Sequence, residues 1–429
     1  MPSKITVNDS IKHDPSCKDD FDPNSMDATL ALQLILDQME SLSTAENVPI
    51  RDALNRTLAE NISSTINVPG HTNSAMDGYA IVSEDIPKEG TNTLSNIGTA
   101  WAGRPYQGKV SQGECIRIMT GAAMPEGTNT VIMQEHVKID GDNIHIDQTN
   151  QAGQNVRQAG EDIPIGGTVL NQGKLLTPSD IGLLASVGIS DVDVVKKLRV
   201  AFFSTGDELR PVGSKLEMGQ IYDSNRYTLH GMLTQLGVEI VDLGVIEDKQ
   251  EAVQAAFIDA ADKADVVITS GGVSVGDADF VKETLEKIGK VNFWKVAMKP
   301  GRPLAFGKIK NAWFFGLPGN PVSVMVTFYM FVQPALKKLS GCSYQAPLMI
   351  AANCKTKLRK RPGRIEYQRG ILTQNKNDPT QYEVIKTGAQ GSGILRSMSD
   401  ANCFIILPME SSGIDEGDKV QVLPFEAII

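Results

Sequence analysis

The stretch Asp265-Val-Val-Ile-Thr-Ser-Gly-Gly272 decides the fold, because a short apolar run ends there at a glycine turn. Such a run is typical of a buried strand that leads into a loop. Further strand patterns occur at 200–204, 238–243, 292–298, 304–309 and 312–315. Helical patterns alternate with them, at 224–236, 251–263, 278–288 and 321–339. This alternation predicts a three-layer α/β domain over 198–341, in which a mostly parallel sheet is covered by helices on both faces.

Outside this domain the pattern changes, and 429 residues are too many for one ordinary domain. Short strand-like runs separated by Gly, Asn, Thr and Pro predict an inserted β-rich module and a second β module after Gly341. Helices are expected at 28–39, at 50–59 and after the cap-like pair Thr177-Pro178. The predicted domains beside the α/β domain are a polar tail (1–26), a discontinuous helical and linker domain (27–66 and 151–197), the inserted β-rich module (67–150) and a C-terminal β-barrel-like module (342–429).

Composition and charge exclude several classes of protein. The chain has 41 Lys and Arg against 51 Asp and Glu, a net charge of −10, and an acidic surface disfavours nucleic acid and anionic membranes as partners. Five scattered cysteines without a CxxC pair argue against a disulfide framework and against a zinc site. They predict a reducing cytoplasm as the compartment. The N-terminus lacks the apolar core of a secretory signal, and the most apolar stretch, 321–336, is too short for a membrane span.

Three glycine loops follow strands of the predicted α/β sheet. In such sheets ligands bind beyond the carboxyl ends of the strands, and a nearby helix start favours an anion. Each loop alone is explained by a turn, but three in one domain favour a phosphate site, although neither GxGxxG nor Walker A spacing is present. The candidate binding residues are Ser204, Thr205 and Gly206 in the first loop, Ser270, Gly271, Gly272, Ser274 and Gly276 in the second, and Pro318, Gly319 and Asn320 in the third.

Charged residues cluster near the same loops. Lys295, Lys299 and Arg302 place three cations within eight residues. Lys295 and Lys299 are four apart, so both side chains would share one face of an extended strand, and the group could hold an oxyanion or a phosphate. Carboxylates also fall in or near the loops, and such oxygens suit Mg²⁺. They are Asp207, Glu208, Asp248, Asp277 and Asp279, of which Asp277 is better explained as a helix cap.

Polar strand-to-loop segments in the N-terminal half add three further candidates, Asp77, Thr120 and Asp162. Each is uninformative by itself, because a turn explains it equally well. The five histidines form no HExxH pattern, and no Ser-His-Asp or Cys-His arrangement can be defended.

Taken together, these strings resemble the molybdopterin molybdenumtransferase family, the group of MoeA and the gephyrin E domain. The resemblance runs from about residue 27 to the C-terminus. The matching strings are Asn73-Ser-Ala-Met-Asp77-Gly-Tyr-Ala, Ile118-Met-Thr120-Gly-Ala, Gly160-Glu-Asp162, Ser204-Thr-Gly-Asp-Glu208-Leu, Gly219-Gln-Ile-Tyr-Asp223-Ser-Asn-Arg226, Ser270-Gly-Gly-Val-Ser-Val-Gly276, Lys299-Pro-Gly-Arg-Pro303 and Leu317-Pro-Gly-Asn-Pro321.

The resemblance implies a four-domain chain and a homodimer of elongated subunits. It also implies a cleft between the α/β molybdopterin-binding domain of one chain and the β-rich module of the other. The implied reaction is the Mg²⁺-assisted insertion of molybdate into adenylylated molybdopterin, which yields molybdenum cofactor and AMP. Transient contacts with other enzymes of cofactor biosynthesis, or with target enzymes, are compatible with it.

Carried over by position, the resemblance assigns roles to residues of this chain. The implied catalytic residues are Asp77, Asp162, Glu208, Asp248, Asp279, Lys295 and Lys299, with Glu208 and Asp279 as metal ligands. Thr120, Arg369 and Ser392 are implied to bind substrate, whereas Arg302 stands where the family pattern varies.

Two alternatives remain open from the sequence. The sibling enzyme that adenylylates molybdopterin shares the glycine loop, but it would need only ~150–200 residues. A gephyrin-like scaffold that binds receptor tails is the other alternative, and no extra domain or long linker favours it.

Overall fold

The computed structural model of the chain describes residues 24–42, 44–271, 280–342 and 344–428. Two compact units are present, Ala45–Val194 and the chain on either side of it. The described helices include none long and apolar enough to cross a membrane. The predicted fold class, a multidomain α/β chain with added β modules, is confirmed.

The first helix, α1 (Ala28–Gln38), begins after Asp27, whose carboxylate accepts hydrogen bonds from two backbone amides of the first turn. Its buried face, which includes Ala31 and Ile35, joins the core of the α/β domain. The structure therefore differs from the prediction that 27–66 forms one domain with 151–197. The apolar pattern predicts the helix, but it does not specify which core receives the buried face.

The unit Ala45–Val194 is mainly β structure. Its six-stranded sheet has the order β7-β4-β6-β5-β9-β8. Alternate residues of β4 bury against opposite cores, Tyr79 and Ile81 in one and Ala80 in the other. The elements are β1 (Ala45–Pro49), β2 (Ile62–Ser63), β3 (Asn73–Ser74), β4 (Gly78–Ile81), β5 (Thr91–Ala100), β6 (Glu114–Ile118), β7 (Thr130–Met133), β8 (Lys138–Asp140), β9 (Asn143–Asp147), β10 (Val156–Arg157), β11 (Thr168–Leu170), α2 (Pro178–Ser186) and β12 (Asp191–Val195).

Helix α2 begins where the sequence predicts, because Thr177 and Asp180 form a capping box around Pro178. The helix expected at 50–59 is wrong. Only the 3₁₀ turn Ile50–Asp52 forms, and Asn55 adopts a left-handed φ of 60°, which interrupts a helix.

The α/β domain places six strands in the order β16-β13-β17-β21-β20-β18. The first four are mutually parallel, β20 runs antiparallel to both of its neighbours, and β18 therefore runs in the direction of the first four. Helices α3, α6 and α7 cover one face together with α1, and α4 covers the other. Its elements are β13 (Arg199–Thr205), β14 (Leu209–Arg210), β15 (Ile221–Tyr222), α3 (Ser224–Gln235), β16 (Glu239–Ile246), α4 (Gln250–Lys263), β17 (Val266–Ser270), α5 (Phe280–Ile288), β18 (Gly289–Lys295), β19 (Met298–Lys299), β20 (Pro303–Ile309), β21 (Ala312–Leu317), α6 (Pro321–Thr327), a π-helical turn (Phe328–Val332) and α7 (Gln333–Leu339).

The strand expected at 292–298 is broken. Strand β18 ends at Lys295, and Val296 and Ala297 turn the chain before β19 begins at Met298. The amide of Val296 donates to the carbonyl of Arg302 at 2.7 Å, which folds this segment back on itself. Lys295 and Lys299 therefore do not share the face of one strand, contrary to the prediction.

The C-terminal module is a closed barrel. Strand β24 pairs with both β25 and β26, and β22 and β28 complete the ring, while β19 pairs with the side of β24. A closed ring leaves no free sheet edge. Its elements are β22 (Ile350–Cys354), β23 (Leu358–Arg359), β24 (Ile365–Gln374), β25 (Tyr382–Lys386), α8 (Arg396–Ser399), β26 (Cys403–Leu407), β27 (Gly413–Ile414) and β28 (Lys419–Pro424).

Candidate functional site

The three glycine loops lie side by side at the carboxyl edge of the α/β sheet. Ser204 is paired with Ser270, and Ser270 with Leu317, so the three strands end in register. Gly271 has a φ of +93°, and a Cβ built on it would lie 2.8 Å from the carbonyl oxygen of Thr205. A Cβ on Gly319 would lie 4.0 Å from the Cα of Gly271. At Gly271 only glycine permits this close approach of the loop backbones, whereas a Cβ at Gly319 would make an ordinary contact.

Asn225 bridges two of these loops, and the sequence reasoning did not select it. Its Nδ2 donates to the Oγ of Ser270 at 2.8 Å and to the carbonyl of Gly319 at 2.7 Å. The cap Asp223 accepts from the amide of Arg226 at 3.1 Å and fixes the helix start that carries Asn225. The only sequence signal was its position just after a helix cap, inside a string that matches the family.

Buried hydroxyl groups follow the same edge. The side chains of Ser204 and Thr269 are fully buried, and neither hydroxyl has a hydrogen-bond partner among the described residues. An unpartnered buried hydroxyl costs free energy, roughly 1–3 kcal/mol.

Three carboxylates gather beside the first loop. Burial raises the pKa of Asp248, and the nearby charges of Asp207 and Glu208 raise it further. The negative charges of Asp207 and Glu208 therefore lie near enough to disfavour the ionised form of Asp248. A cavity of about 390 Å³ opens beside them and is lined by residues of both strand ends, among them Gly206, Asp207, Arg210 and Lys249.

The oxygen-only donors near Asp248 match the preference of Mg²⁺. The described residues contain no group of three His, Cys, Asp or Glu side chains arranged to hold a metal ion. The predicted ligand Asp279 lies outside the described residues, as do the loop positions Gly272, Ser274 and Gly276.

Of the predicted cations, Lys295 lies at the same edge of the sheet. Lys295 ends β18 and is paired with Pro303, which directly follows Arg302. Strands β21, β20 and β18 are consecutive in the sheet, so at about 5 Å per strand Lys295 lies about 10 Å from the end of β21. Lys299 belongs to β19 on the barrel, where its ammonium contacts Glu366 at 3.1 Å.

Asp77 and Thr120 meet at one edge of the sheet in the unit Ala45–Val194. Asp77 precedes β4 and Thr120 follows β6, and these strands are antiparallel neighbours. The amide and the hydroxyl of Thr120 both donate to one oxygen of Asp77 at 2.7 Å. These bonds, the amide first, hold the pKa of Asp77 below its usual value. Asp162 is exposed in the same unit, and its amide donates to the carbonyl of Val68.

Arg369 is 1% exposed and lies inside the barrel module. Its guanidinium donates to the Oγ of Ser397 at 3.0 Å and to the carbonyls of Tyr367 and Gly391 at 3.4 and 3.2 Å. The geometry makes Arg369 a support for the adjacent loop, and direct contact with substrate stays a prediction. Ser392 in that loop accepts a hydrogen bond at its carbonyl from the amide of Val322, in the first turn of α6.

A second, larger cavity lies away from these residues. It measures about 750 Å³ and is lined by residues at the opposite, amino end of the parallel strands, including Arg199, Asp265 and Trp313. Burial raises the pKa of the Cys115 and Cys403 thiols to about 12, so neither is a thiolate nucleophile.

Three family models together match most of the chain. The model described as MoeA N-terminal region (domain I and II) matches residues 26–188. The one described as probable molybdopterin binding domain matches residues 201–338, and the one described as MoeA C-terminal region (domain IV) matches residues 351–425.

Named relatives match over nearly their whole lengths. The chain is 46% identical to the molybdopterin molybdenumtransferase of Haemophilus influenzae, over 92% of this chain and 97% of that protein. It is 34% identical to the molybdopterin molybdenumtransferase of a Nostoc species, over 94% and 93%. The crystal structure of the molybdopterin biosynthesis MoeA protein of Pyrococcus horikoshii matches with a TM-score of 0.80 and 31% identity, over 93% of this chain and 100% of that one.

Proposed function

The chain belongs to the MoeA family, and on this premise we propose that it is a molybdopterin molybdenumtransferase. The proposed reaction inserts molybdate into adenylylated molybdopterin and releases molybdenum cofactor and AMP. The observation that carries the proposal is the contact among three glycine loops at one sheet edge, with Lys295 two strands away at the same edge.

The substrates of this reaction are anions that repel one another. Gly271 and Gly319 let backbone amides approach a phosphate group closely. Lys295, Lys299 and Arg302 offer positive charge for molybdate and for the phosphoanhydride. Holding both anions together lowers the barrier through proximity and through charge neutralisation.

The bond changes balance without an oxidant. An oxygen of molybdate or of water attacks the AMP phosphorus, and the pterin phosphate leaves with the electron pair of the broken anhydride bond. The two pterin thiolates then bind molybdenum. Where a molybdate oxygen was the nucleophile, a thiolate displaces AMP together with that oxygen, and every other displaced oxygen leaves as water after protonation. Molybdenum stays hexavalent throughout, and no protein cysteine takes part.

Magnesium dependence is part of the proposal. One or two of Asp207, Glu208 and Asp248 would bind the ion together with phosphate oxygens of the substrate, because the three carboxylates do not form a metal site by themselves. When bound, Mg²⁺ would neutralise phosphate oxygens and polarise the phosphorus. Asp279 as a further ligand also stays a prediction.

AMP release tests the proposed function directly. Purified protein with adenylylated molybdopterin should release AMP only when molybdate and Mg²⁺ are both present. Lys295→Ala and Lys299→Ala should slow release, whereas Lys355→Ala, a barrel lysine paired with Glu383, should not. AMP release that ignores molybdate would contradict the proposal, and ATP-dependent adenylylation of molybdopterin would favour the sibling activity.

A shared active site in a homodimer is a separate proposal, and a cytoplasmic location stays a prediction. If Asp77 of one chain serves the loops of another, an Asp77→Ala chain mixed with an Asp279→Ala chain should regain up to about a quarter of wild-type activity, the share of intact sites expected from random pairing. Native mass spectrometry must first establish that mixed dimers form. Mixed dimers without activity would refute the shared site.

A further inference from the structure

We propose that Glu366 is a positioning residue, whose buried carboxylate fixes the ammonium of Lys299 for the transfer reaction. The inference rests on the proposed function, because it assigns Glu366 a task through Lys299. Glu366 belongs to the barrel, and sequence reasoning had given it no role.

The ion pair is asymmetric in burial. Lys299 Nζ lies 3.1 Å from Glu366 Oε1, and the lysine side chain is 53% exposed whereas the glutamate side chain is 8% exposed. The carboxylate is therefore the fixed partner and the lysine the mobile one. Without that partner, the flexible lysine stem would sample many rotamers in solvent.

The carboxylate is itself held on its other oxygen. Gln368, also buried, donates from Nε2 to Glu366 Oε2 at 3.0 Å. The same amide group donates to the carbonyl of Arg359 at 3.3 Å. Glu366 therefore keeps its orientation, with Oε1 left to face Lys299.

The backbone around Lys299 is also hydrogen-bonded to the barrel. Strand β19 pairs in parallel with β24, with Lys299 opposite Glu366, and the amide of Ile365 donates to the carbonyl of Ala297 at 2.9 Å. Lys295, four residues earlier, is paired within the α/β sheet instead. The barrel thus determines where Lys299 stands relative to Lys295.

The contact between Lys299 and Glu366 contributes little to stability, because the lysine is half-exposed and solvent screens its charge. A lysine ammonium has three donors, and Glu366 takes one of them, which orients the other two. The negative charge also offsets that of Lys299, so the pair favours placement of the ammonium over tight binding of an anion.

The test compares Glu366→Gln with Glu383→Gln by the AMP-release assay. Glu383 is a matched control, because it also contacts a lysine, Lys355 at 3.6 Å, and an amide, Asn375 at 2.7 Å, in the same barrel. We expect Glu366→Gln to lower kcat about ten- to hundredfold, as for misplacement of a reacting group by about 1 Å. The KM for molybdate should change less than about threefold, because the charge of Lys299 remains. Glu383→Gln should behave like wild type.

A double variant separates positioning from a general structural effect. Lys299→Met with Glu366→Gln should be no slower than Lys299→Met alone, because Glu366 acts only through Lys299. Additive losses, or a Glu366→Gln enzyme as fast as wild type, would overturn the inference. If Glu366→Gln does not fold, Gln368→Leu releases the same carboxylate, and it should also lower kcat while changing the KM for molybdate little. An unchanged kcat in Gln368→Leu would also overturn the inference. A wild-type protein without AMP release would instead refute the proposed function.

Discussion

Replacing Asn225 by leucine should weaken binding of AMP, the proposed product. Leucine matches asparagine in size but cannot donate to Ser270 or to Gly319. Two hydrogen bonds at about 1 kcal/mol each give a loss of about 2 kcal/mol in the free energy that holds the loops together. If the ligand binds only the joined loops, this loss corresponds to an about 30-fold weaker affinity.

Isothermal titration calorimetry with AMP measures this affinity, and hydrogen exchange reports the loop order. The amide of Gly271 donates to the carbonyl of Leu317 at 3.1 Å, so its exchange should accelerate in Asn225→Leu. Asn353→Leu is the matched control, because it removes an amide hydrogen bond to Gln381 on the barrel. Unchanged AMP affinity together with unchanged protection at Gly271 would mean that the loops need no bridge, and the reasoning would fail.

Three further substitutions test other parts of the structure. Thr120→Val should raise the pKa of Asp77 only part of the way to its ordinary 3.8, because the amide of residue 120 still donates to the Asp77 carboxylate. A carboxyl NMR titration measures this pKa, and an unchanged value would show that the hydroxyl contributes nothing. Because the pKa of Asp77 is lowered, its hydrogen bonds with Thr120 stabilise the folded protein above about pH 4, and this contribution is lost as the pH falls. Asp248→Asn should raise the melting temperature by about 1 °C at pH 7 without divalent cations. The reason is that the raised pKa of Asp248 makes its ionised form destabilising once the pH exceeds that pKa. Added Mg²⁺ should stabilise wild type more than this variant, and equal responses in calorimetry would argue against the ion site. Gly271→Ala should lose AMP affinity, since its Cβ would collide with a carbonyl, whereas Gly237→Ala has open space at a similar positive φ and should bind AMP like wild type in the same titration.

Much of the fold could be predicted from local patterns. The helix expected at 224–236 occupies Ser224–Gln235, and the strands expected at 304–309 and 312–315 occupy Pro303–Ile309 and Ala312–Leu317. The spacing of apolar residues and the position of turn residues are local properties of the sequence, so the folded chain forms the elements that they predict. The destination of α1 could not be predicted in this way, because it depends on which distant surface buries the apolar face.

The glycine loops were also predictable, because glycine at strand ends records a close backbone approach. Asn225 and Glu366 were not, since their contacts join residues separated by 94 and 67 positions in the sequence. A single asparagine or glutamate has no signature of such a partner. Lys295 and Lys299 were assigned to one strand face, because the even spacing carries no sign of the turn at Val296 and Ala297.

Because of that turn, different parts of the structure hold Lys295 and Lys299. Lys295 is fixed by the α/β sheet, whereas Lys299 is fixed by the barrel through its backbone and through Glu366. The barrel also supplies the carbonyl of Ser392 to the first turn of α6, directly after the loop that contains Gly319. An α/β domain without the barrel would keep its glycine loops and Lys295, but it would lose what orients Lys299. In the proposed function the barrel therefore belongs to the anion site, because it sets the position of one of two cations that the sequence places only four residues apart.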